Sequence, residues 1–197
     1  MTDWENCYQT GQTNWDRGEP APVLRQLVSR QPGLFQGRVL IPGCGLGHDA
    51  RLLSAHGAKV TGVDIAPTAL KKARELDTSG AIDFCEADLL ALPADMLGAF
   101  DAVWEHTCLC ALPPEMRKHY IQSVVSTLKP GGIVTGIFYI NPDLDPGETG
   151  PPFPITVEEL IALWNVAGFE PVEQWVPDVA YADREGRELA MILHRRA

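Results

Sequence analysis

Long apolar runs are missing from this 197-residue chain: the longest, Gly131 to Ile140, has ten residues, and a helix needs about twenty to cross a bilayer. The first residues are polar and acidic, without the apolar core of a secretory signal. Positive charge is scarce as well. Sixteen Lys and Arg face 26 Asp and Glu, for a net charge of −10, and such a surface repels a phosphate backbone. The only basic clusters, Lys71-Lys72 with Arg74 and Arg195-Arg196, are short enough to be solvated surface, so neither a nucleic-acid nor a membrane partner is expected. Cysteines number five, an odd count without the spacing of a disulfide scaffold, which suits a reducing, cytoplasmic setting. Cys108-x-Cys110 lacks a second Cys/His pair at finger spacing, so no metal site is expected. Internal repeats and long linkers are absent too, and the chain reads as one domain over residues 1–197. No amphipathic surface stands out, and a monomer or weak homodimer is expected.

What is present is an alternation of strand and helix. Val23–Ser29 has helical apolar spacing and ends before Pro32-Gly33. Arg38–Pro42 is a short apolar run of the kind that forms a buried parallel strand. A helix over Gly47–His56, a strand over Lys59–Asp64 and a helix from Pro67 to Leu76 follow. Ala81–Cys85 and Phe100–Glu105 read as the third and fourth strands. Pro113-Pro114 opens a helix to about Leu128, Lys129-Pro-Gly-Gly132 reads as a stop and turn, and Ile133–Ile140 is a fifth strand. Five strands alternating with helices predict an open parallel α/β sheet covered on both faces. Asn141–Pro154, rich in Pro and Gly, is a loop. Thr156 caps a helix through Ala167, with Glu158 and Glu159 in its first turn. Glu170–Val176 and Arg187–His194 form a final antiparallel pair.

The strongest local signal is Gly43-Cys-Gly45-Leu-Gly47, set between the first strand and its helix. Alternate glycines let a backbone turn with positive φ and let a ligand approach the main chain, as at the cofactor crevice of open α/β sheets. Asp64, 21 residues after Gly43 at the end of the second strand, is placed to accept hydrogen bonds from ribose hydroxyls. Asp88, after the third strand, is placed for the exocyclic amine of adenine, with Leu89 against the ring. A nicotinamide site wants G-x-G-x-x-G facing a pyrophosphate, but the position three after Gly45 is His48. The looser G-x-G-x-G suits S-adenosylmethionine, which carries no phosphate. A nicotinamide-dependent reductase and a cofactor-binding regulatory protein without turnover are the alternatives.

Several stretches together resemble one family. They are Trp4-Glu-Asn-Cys-Tyr8 with Asn14-Trp15-Asp16-x-Gly18, Val39-Leu-Ile-Pro-Gly-Cys-Gly-x-Gly-x-Asp49, Gly62-x-Asp64-Ile65-x5-Lys71-x-Ala73, Phe100-Asp101-x3-Glu105-His-Thr-x2-Cys110-Ala-Leu-Pro-x3-Arg117, and Gly150-Pro-Pro-Phe-Pro154. The chain resembles the thiopurine S-methyltransferase superfamily, with its plant thiol/halide (thiocyanate) methyltransferases and bacterial relatives. The resemblance implies a Rossmann-like class I methyltransferase fold with a mostly parallel seven-stranded sheet and a C-terminal antiparallel strand. It implies S-adenosylmethionine as cofactor and a small soft nucleophile as methyl acceptor. Residues 1–20 become a lid over the cofactor through Trp4, Tyr8 and Trp15, where Tyr8 replaces a tryptophan of the halide/thiol branch; an indole face suits a sulfonium. The cofactor site then comprises Trp4, Tyr8, Trp15, Gly43, Gly45, Asp64, Ile65, Asp88, Leu89, Glu105 and His106. Where the halide/thiol branch has Asp-Tyr-Thr-Phe-Phe-Cys-Ala, this chain has Glu105-His106-Thr107-Cys108-Leu109-Cys110-Ala111. His106 is the expected catalytic residue, able to titrate near neutral pH, and Trp15 and Arg117 are the expected substrate contacts.

Overall fold

The computed structural model describes residues 2–145 and 147–196; Met1, Pro146 and Ala197, which the predicted domain and loop include, lie outside them. Seven strands form one sheet: β1 (Arg38–Pro42), β2 (Lys59–Asp64), β3 (Asp83–Glu86), β4 (Phe100–His106), β5 (Leu128–Tyr139), β6 (Phe169–Trp175) and β7 (Glu188–Arg195). Their order is β3-β2-β1-β4-β5-β7-β6. The first five are parallel, and β7 runs antiparallel between β5 and β6. This is the Rossmann-like class I methyltransferase fold.

Side-chain alternation along the buried strands divides the core between two faces. Val39, Ile41, Val60, Ala102 and Trp104 pack on one side with Leu24 and Leu27 of helix α2 (Pro22–Arg30) and Leu53 of α3 (His48–Ala55). Leu40, Val63 and Val103 face the other, against Tyr120, Ile121 and Val124 of α5 (Arg117–Ser126) and Trp164 of α6 (Val157–Val166). The N-terminal helix α1 (Trp4–Thr10) is capped by the Asp3 carboxylate and lies against α4 (Pro67–Leu76).

Two elements differ from expectation. Pro113 precedes a proline, which disfavours the helical region; it is extended, and after a 3-10 turn over Pro114–Met116 the regular helix begins only at Arg117. Lys129–Gly132, expected as a turn, lies inside β5. Phe100 pairs with Leu128 and Ala102 with Ile133, so the Pro-Gly-Gly stretch forms a bulge without ending the strand.

The register brings Pro42 beside Val63 and Asp64 beside Glu86, which aligns the C-terminal ends of β1, β2 and β3 along one rim. The strand order reverses between β1 and β4, and a ligand crevice opens at such a switch point.

Candidate active site

A cavity of about 590 Å³ occupies this rim. Its floor is the turn from β1 to α3. Gly43 and Gly45 have φ of +60° and +52°, and a Cβ on Gly45 would stand 2.8 Å from the Tyr8 hydroxyl, while one on Gly43 would stand 2.9 Å from Cys108 Sγ. Both positions therefore need glycine on two counts, conformation and space. Asp64 is buried at the end of β2. Its Oδ2 accepts the Gly45 N–H at 2.8 Å and its Oδ1 the Ala66 N–H at 3.0 Å. Burial raises its pKa, and these backbone donors work against the rise. Beyond it Ile65, Asp88 and Leu89 complete a wall, with Ile65 nearly half exposed.

The N-terminal segment supplies a further part of the cavity lining. Trp15 stands edge-on to both Trp4 and Tyr8, at centroid distances of 5.2 and 5.8 Å, and its indole N–H donates to the Tyr8 hydroxyl at 3.3 Å. Several contacts tie the segment to the rest of the fold, among them Lys72 Nζ donating to the Tyr8 carbonyl, the Arg17–Asp183 ion pair, and two side-chain anchors on helices α4 and α3. Glu5 accepts the Thr68 backbone N–H and hydroxyl in the first turn of α4. Asp16 meets His48 Nε2 at 3.0 Å, while the Arg51 guanidinium donates to Nδ1 of the same ring at 2.7 Å. Since guanidinium only donates, Nδ1 is the acceptor and Nε2–H donates to Asp16.

His106, the last residue of β4, lies on the cavity wall with Nδ1 2.8 Å from Asp49 Oδ2. Burial works to lower its pKa, but the Asp49 carboxylate overcomes this and raises it. Tyr181 stacks on the ring at 6.2 Å with planes 18° apart.

Two predicted site residues are elsewhere. Glu105 is fully buried behind the wall and is not among the residues lining the cavity; adjacent strand residues face opposite ways, so with His106 on the cavity Glu105 turns inward. Its Oε1 accepts the N–H groups of Cys108 and Leu109 at 3.0 and 2.7 Å. That grip supports Thr107, a β-branched residue at φ +60°. Arg117 is likewise buried and off the cavity. Its guanidinium donates to Glu159 Oε1 and to the carbonyls of Phe153 and Pro154, so it is committed to the loop that brings Pro151 and Pro152 to the cavity wall. Sequence reading missed Asp49, Tyr181 and Arg184. Asp49 carried a faint signal as an acid in the first turn after the glycines; the other two lie in an irregular stretch before β7.

The residues fit S-adenosylmethionine: a turn of positive-φ glycines, a buried acid with acceptor capacity to spare, apolar lining side chains and an aromatic cluster from the N-terminal segment. Comparison with known proteins decides the assignment. The model of the thiopurine S-methyltransferase (TPMT) family matches residues 1–190. A probable thiol methyltransferase 2 of Arabidopsis thaliana is 34% identical over 191 residues, covering 94% of this chain and 81% of that protein. The chain belongs to the thiopurine S-methyltransferase family. It is an S-adenosylmethionine-dependent methyltransferase. A thiopurine S-methyltransferase of Xanthomonas campestris is 30% identical over 188 residues, covering 85% and 84% of the two chains. The crystal structure of Burkholderia thailandensis 1,6-didemethyltoxoflavin-N1-methyltransferase, with 1,6-didemethyltoxoflavin and S-adenosylhomocysteine bound, superposes with a TM-score of 0.73 at 22% identity, covering 99% of this chain and 86% of that one. The family match leaves the nicotinamide reductase without support. No helix among the described residues is long and apolar enough to cross a membrane.

Proposed function

We propose that this member of the family methylates a small soft nucleophile: a thiol, sulfide, halide or thiopurine-like sulfur. The observation that carries the reading is that one cavity is lined both by Gly43, Gly45 and Asp64 and by His106, Cys108, Tyr139, Pro152 and Tyr181. S-adenosylmethionine supplies the methyl group on a sulfonium. In this reading Gly43 and Gly45 lie under the cofactor, Asp64 takes the ribose, Asp88 and Leu89 hold the adenine beside Ile65, and Trp4, Tyr8 and Trp15 close over the sulfonium, with residues 1–20 as the lid of a single domain. Trp15 and His106 border the acceptor. A soft nucleophile needs alignment and desolvation more than covalent help, which an aromatic roof provides. Free cysteines support a cytoplasmic setting; the acidic surface argues against nucleic acid, and we read the chain as a monomer or weak homodimer.

The test is release of S-adenosylhomocysteine with iodide, thiocyanate, hydrosulfide, thiophenol and a thiopurine as acceptors. Turnover with at least one is expected. Binding of S-adenosylhomocysteine by calorimetry with no turnover on any acceptor would favour a regulatory protein instead.

A further inference from the structure

The Asp49 carboxylate is held by a backbone amide and an indole and meets one histidine. It sits in the first turn of α3 with little exposure. Oδ1 accepts the Ala21 N–H at 2.8 Å, and Oδ2 accepts the Trp104 indole N–H at 2.7 Å and faces His106 Nδ1 at 2.8 Å. Burial disfavours the charge on Asp49, but His106, Trp104 and Ala21 more than offset it and hold its pKa low. An ionised carboxylate only accepts hydrogen bonds, so the proton of the neutral imidazole is on Nδ1 and the lone pair is on Nε2. Nε2 is buried and has no hydrogen-bond partner among the described residues, on a side chain that lines the cavity. Tyr181 stacked on one side and Trp104 tilted against the ring at 6.3 Å fix its plane. A buried lone pair without a donor is unfavourable, and a bound S–H group would relieve it.

We propose that Asp49 and His106 form a proton-accepting dyad and that the acceptor enters as a neutral thiol, R–SH. This rests on the methyl transfer read above and names its substrate class. The thiol sulfur forms a bond to the methyl carbon as the sulfonium C–S bond breaks and leaves its pair on the sulfur of S-adenosylhomocysteine. The S–H proton passes to His106 Nε2 and is lost to water after the products leave, so atoms and charge balance. Halides and thiocyanate carry no such proton and do not require the dyad. His106 is the catalytic residue and Asp49 its positioning residue. Cys108 and Cys110 beside them do not compete, since burial pushes both thiols up and keeps them protonated.

The experiment uses the full chain with S-adenosylmethionine and three acceptors: 2-mercaptoethanol, largely protonated near neutral pH; 4-nitrothiophenol, ionised there; and thiocyanate. His106→Gln is expected to lower the kcat/KM ratio of mercaptoethanol to thiocyanate by about 100-fold, the scale of a lost general base. Nitrothiophenol is expected to follow thiocyanate. Asp49→Asn, whose oxygen can still accept from Trp104 and His106 but which lacks the charge that favours a protonated ring, is expected to shift the ratio in the same direction. With the wild type, kcat/KM for mercaptoethanol rises with pH and then levels; with His106→Gln it keeps rising with the thiolate fraction. That profile is set by His106 together with the groups around it: Asp49, Arg184, Glu188, Tyr181 and Glu105. Independently of turnover, 15N NMR of histidine-labelled protein is expected to place the proton of neutral His106 on Nδ1, and to show the ring titrating lower in Asp49→Asn than in the wild type. A His106→Gln ratio within about threefold of wild type, or a wild-type proton on Nε2, overturns the dyad. Should Asp49→Asn not fold, His106→Gln and the wild-type tautomer decide. No S-adenosylhomocysteine from any acceptor with the wild type overturns the underlying transfer reading, and the tautomer then still decides the dyad.

Discussion

The Asp64 carboxylate accepts the Gly45 backbone N–H at 2.8 Å, so the acid that ends β2 also fastens the glycine turn that ends β1. One residue thereby carries two duties that the sequence presents as separate motifs: it shapes the floor and it offers acceptor capacity to a ligand. Because Oδ1 is already bonded to Ala66 and Oδ2 to Gly45, each oxygen has a remaining lone-pair direction for a ribose hydroxyl.

Asp64→Asn therefore loses more than a charge. The amide keeps a single acceptor oxygen and turns its NH2 toward a backbone donor. Affinity for S-adenosylhomocysteine is expected to fall by about 2 kcal/mol, roughly 30-fold in Kd, with a lower Tm for the free protein. Isothermal calorimetry and a thermal melt check both. Unchanged affinity would remove Asp64 from the cofactor site.

The pH dependence of stability follows from Glu105. Burial pushes its carboxyl up to about 7, even though two backbone N–H groups favour the anion. An unfolded Glu titrates near 4.3, roughly, so between those values the native chain binds more protons than the unfolded one, and stability falls as pH rises across the window. His106, with its raised pKa, acts in the same direction: what it contributes is lost as pH rises through its folded value. Denaturant melts are expected to show stability declining from about pH 5 to pH 8, with Glu105 accounting for about 3 kcal/mol at most. Glu105→Gln should flatten most of that slope, since its oxygen still accepts from Cys108 and Leu109. A wild-type stability that rises over this range contradicts the assignment.

The sheet and the glycine turn that borders the cavity were legible because their signals are local. Arg38–Pro42, the three alternate glycines and Asp64 fall within 27 consecutive residues, and each follows from strand hydrophobicity or glycine conformation. The part of the cavity around His106 was not. Asp49 looks like an ordinary acid in a helical first turn, yet its partners Ala21, Trp104 and His106 are 28, 55 and 57 residues away. Tyr181 and Arg184 sit in an irregular stretch whose sequence has no period to read. Arg117 misled in the opposite sense. It was expected as a substrate contact, but its burial and its ties to Phe153, Pro154 and Glu159 become visible only once α5 and α6 pack together. The Lys129–Gly132 stretch has turn chemistry, and only its pairing with β4 reveals a bulge.

Those ties give Arg117 a measurable role. Arg117→Met keeps the aliphatic bulk but leaves the Phe153 and Pro154 carbonyls without their donor. A loss of about 3 kcal/mol of stability is expected. Because the clamped loop supplies Pro151 and Pro152 to the acceptor wall, KM for the acceptor should rise while Kd for S-adenosylhomocysteine stays close to wild type. An effect on cofactor affinity alone would place Arg117 in a different role.

The lid reading turns on Asp16 and His48. His48 is held from behind, with Arg51 donating to Nδ1, so its Nε2–H has a fixed direction and Asp16 is the residue that meets it. The bond joins the segment carrying Trp15 to the helix that follows the glycine turn, and no backbone pairing substitutes for it there. If residues 1–20 close over the cofactor, the bound ligand leaves only after this contact opens, so the bond should appear in the off-rate more than in the on-rate. Asp16→Ala is expected to speed dissociation of S-adenosylhomocysteine by roughly five- to tenfold, the scale of one net hydrogen bond of about 1 kcal/mol. Stopped-flow displacement measures it, and amide exchange over residues 4–19 of the ligand-bound protein should quicken in parallel. An off-rate and exchange pattern equal to wild type would mean that the aromatic roof stays shut without this latch, held by Glu5 on Thr68 and by the packing of Trp4, Tyr8 and Trp15.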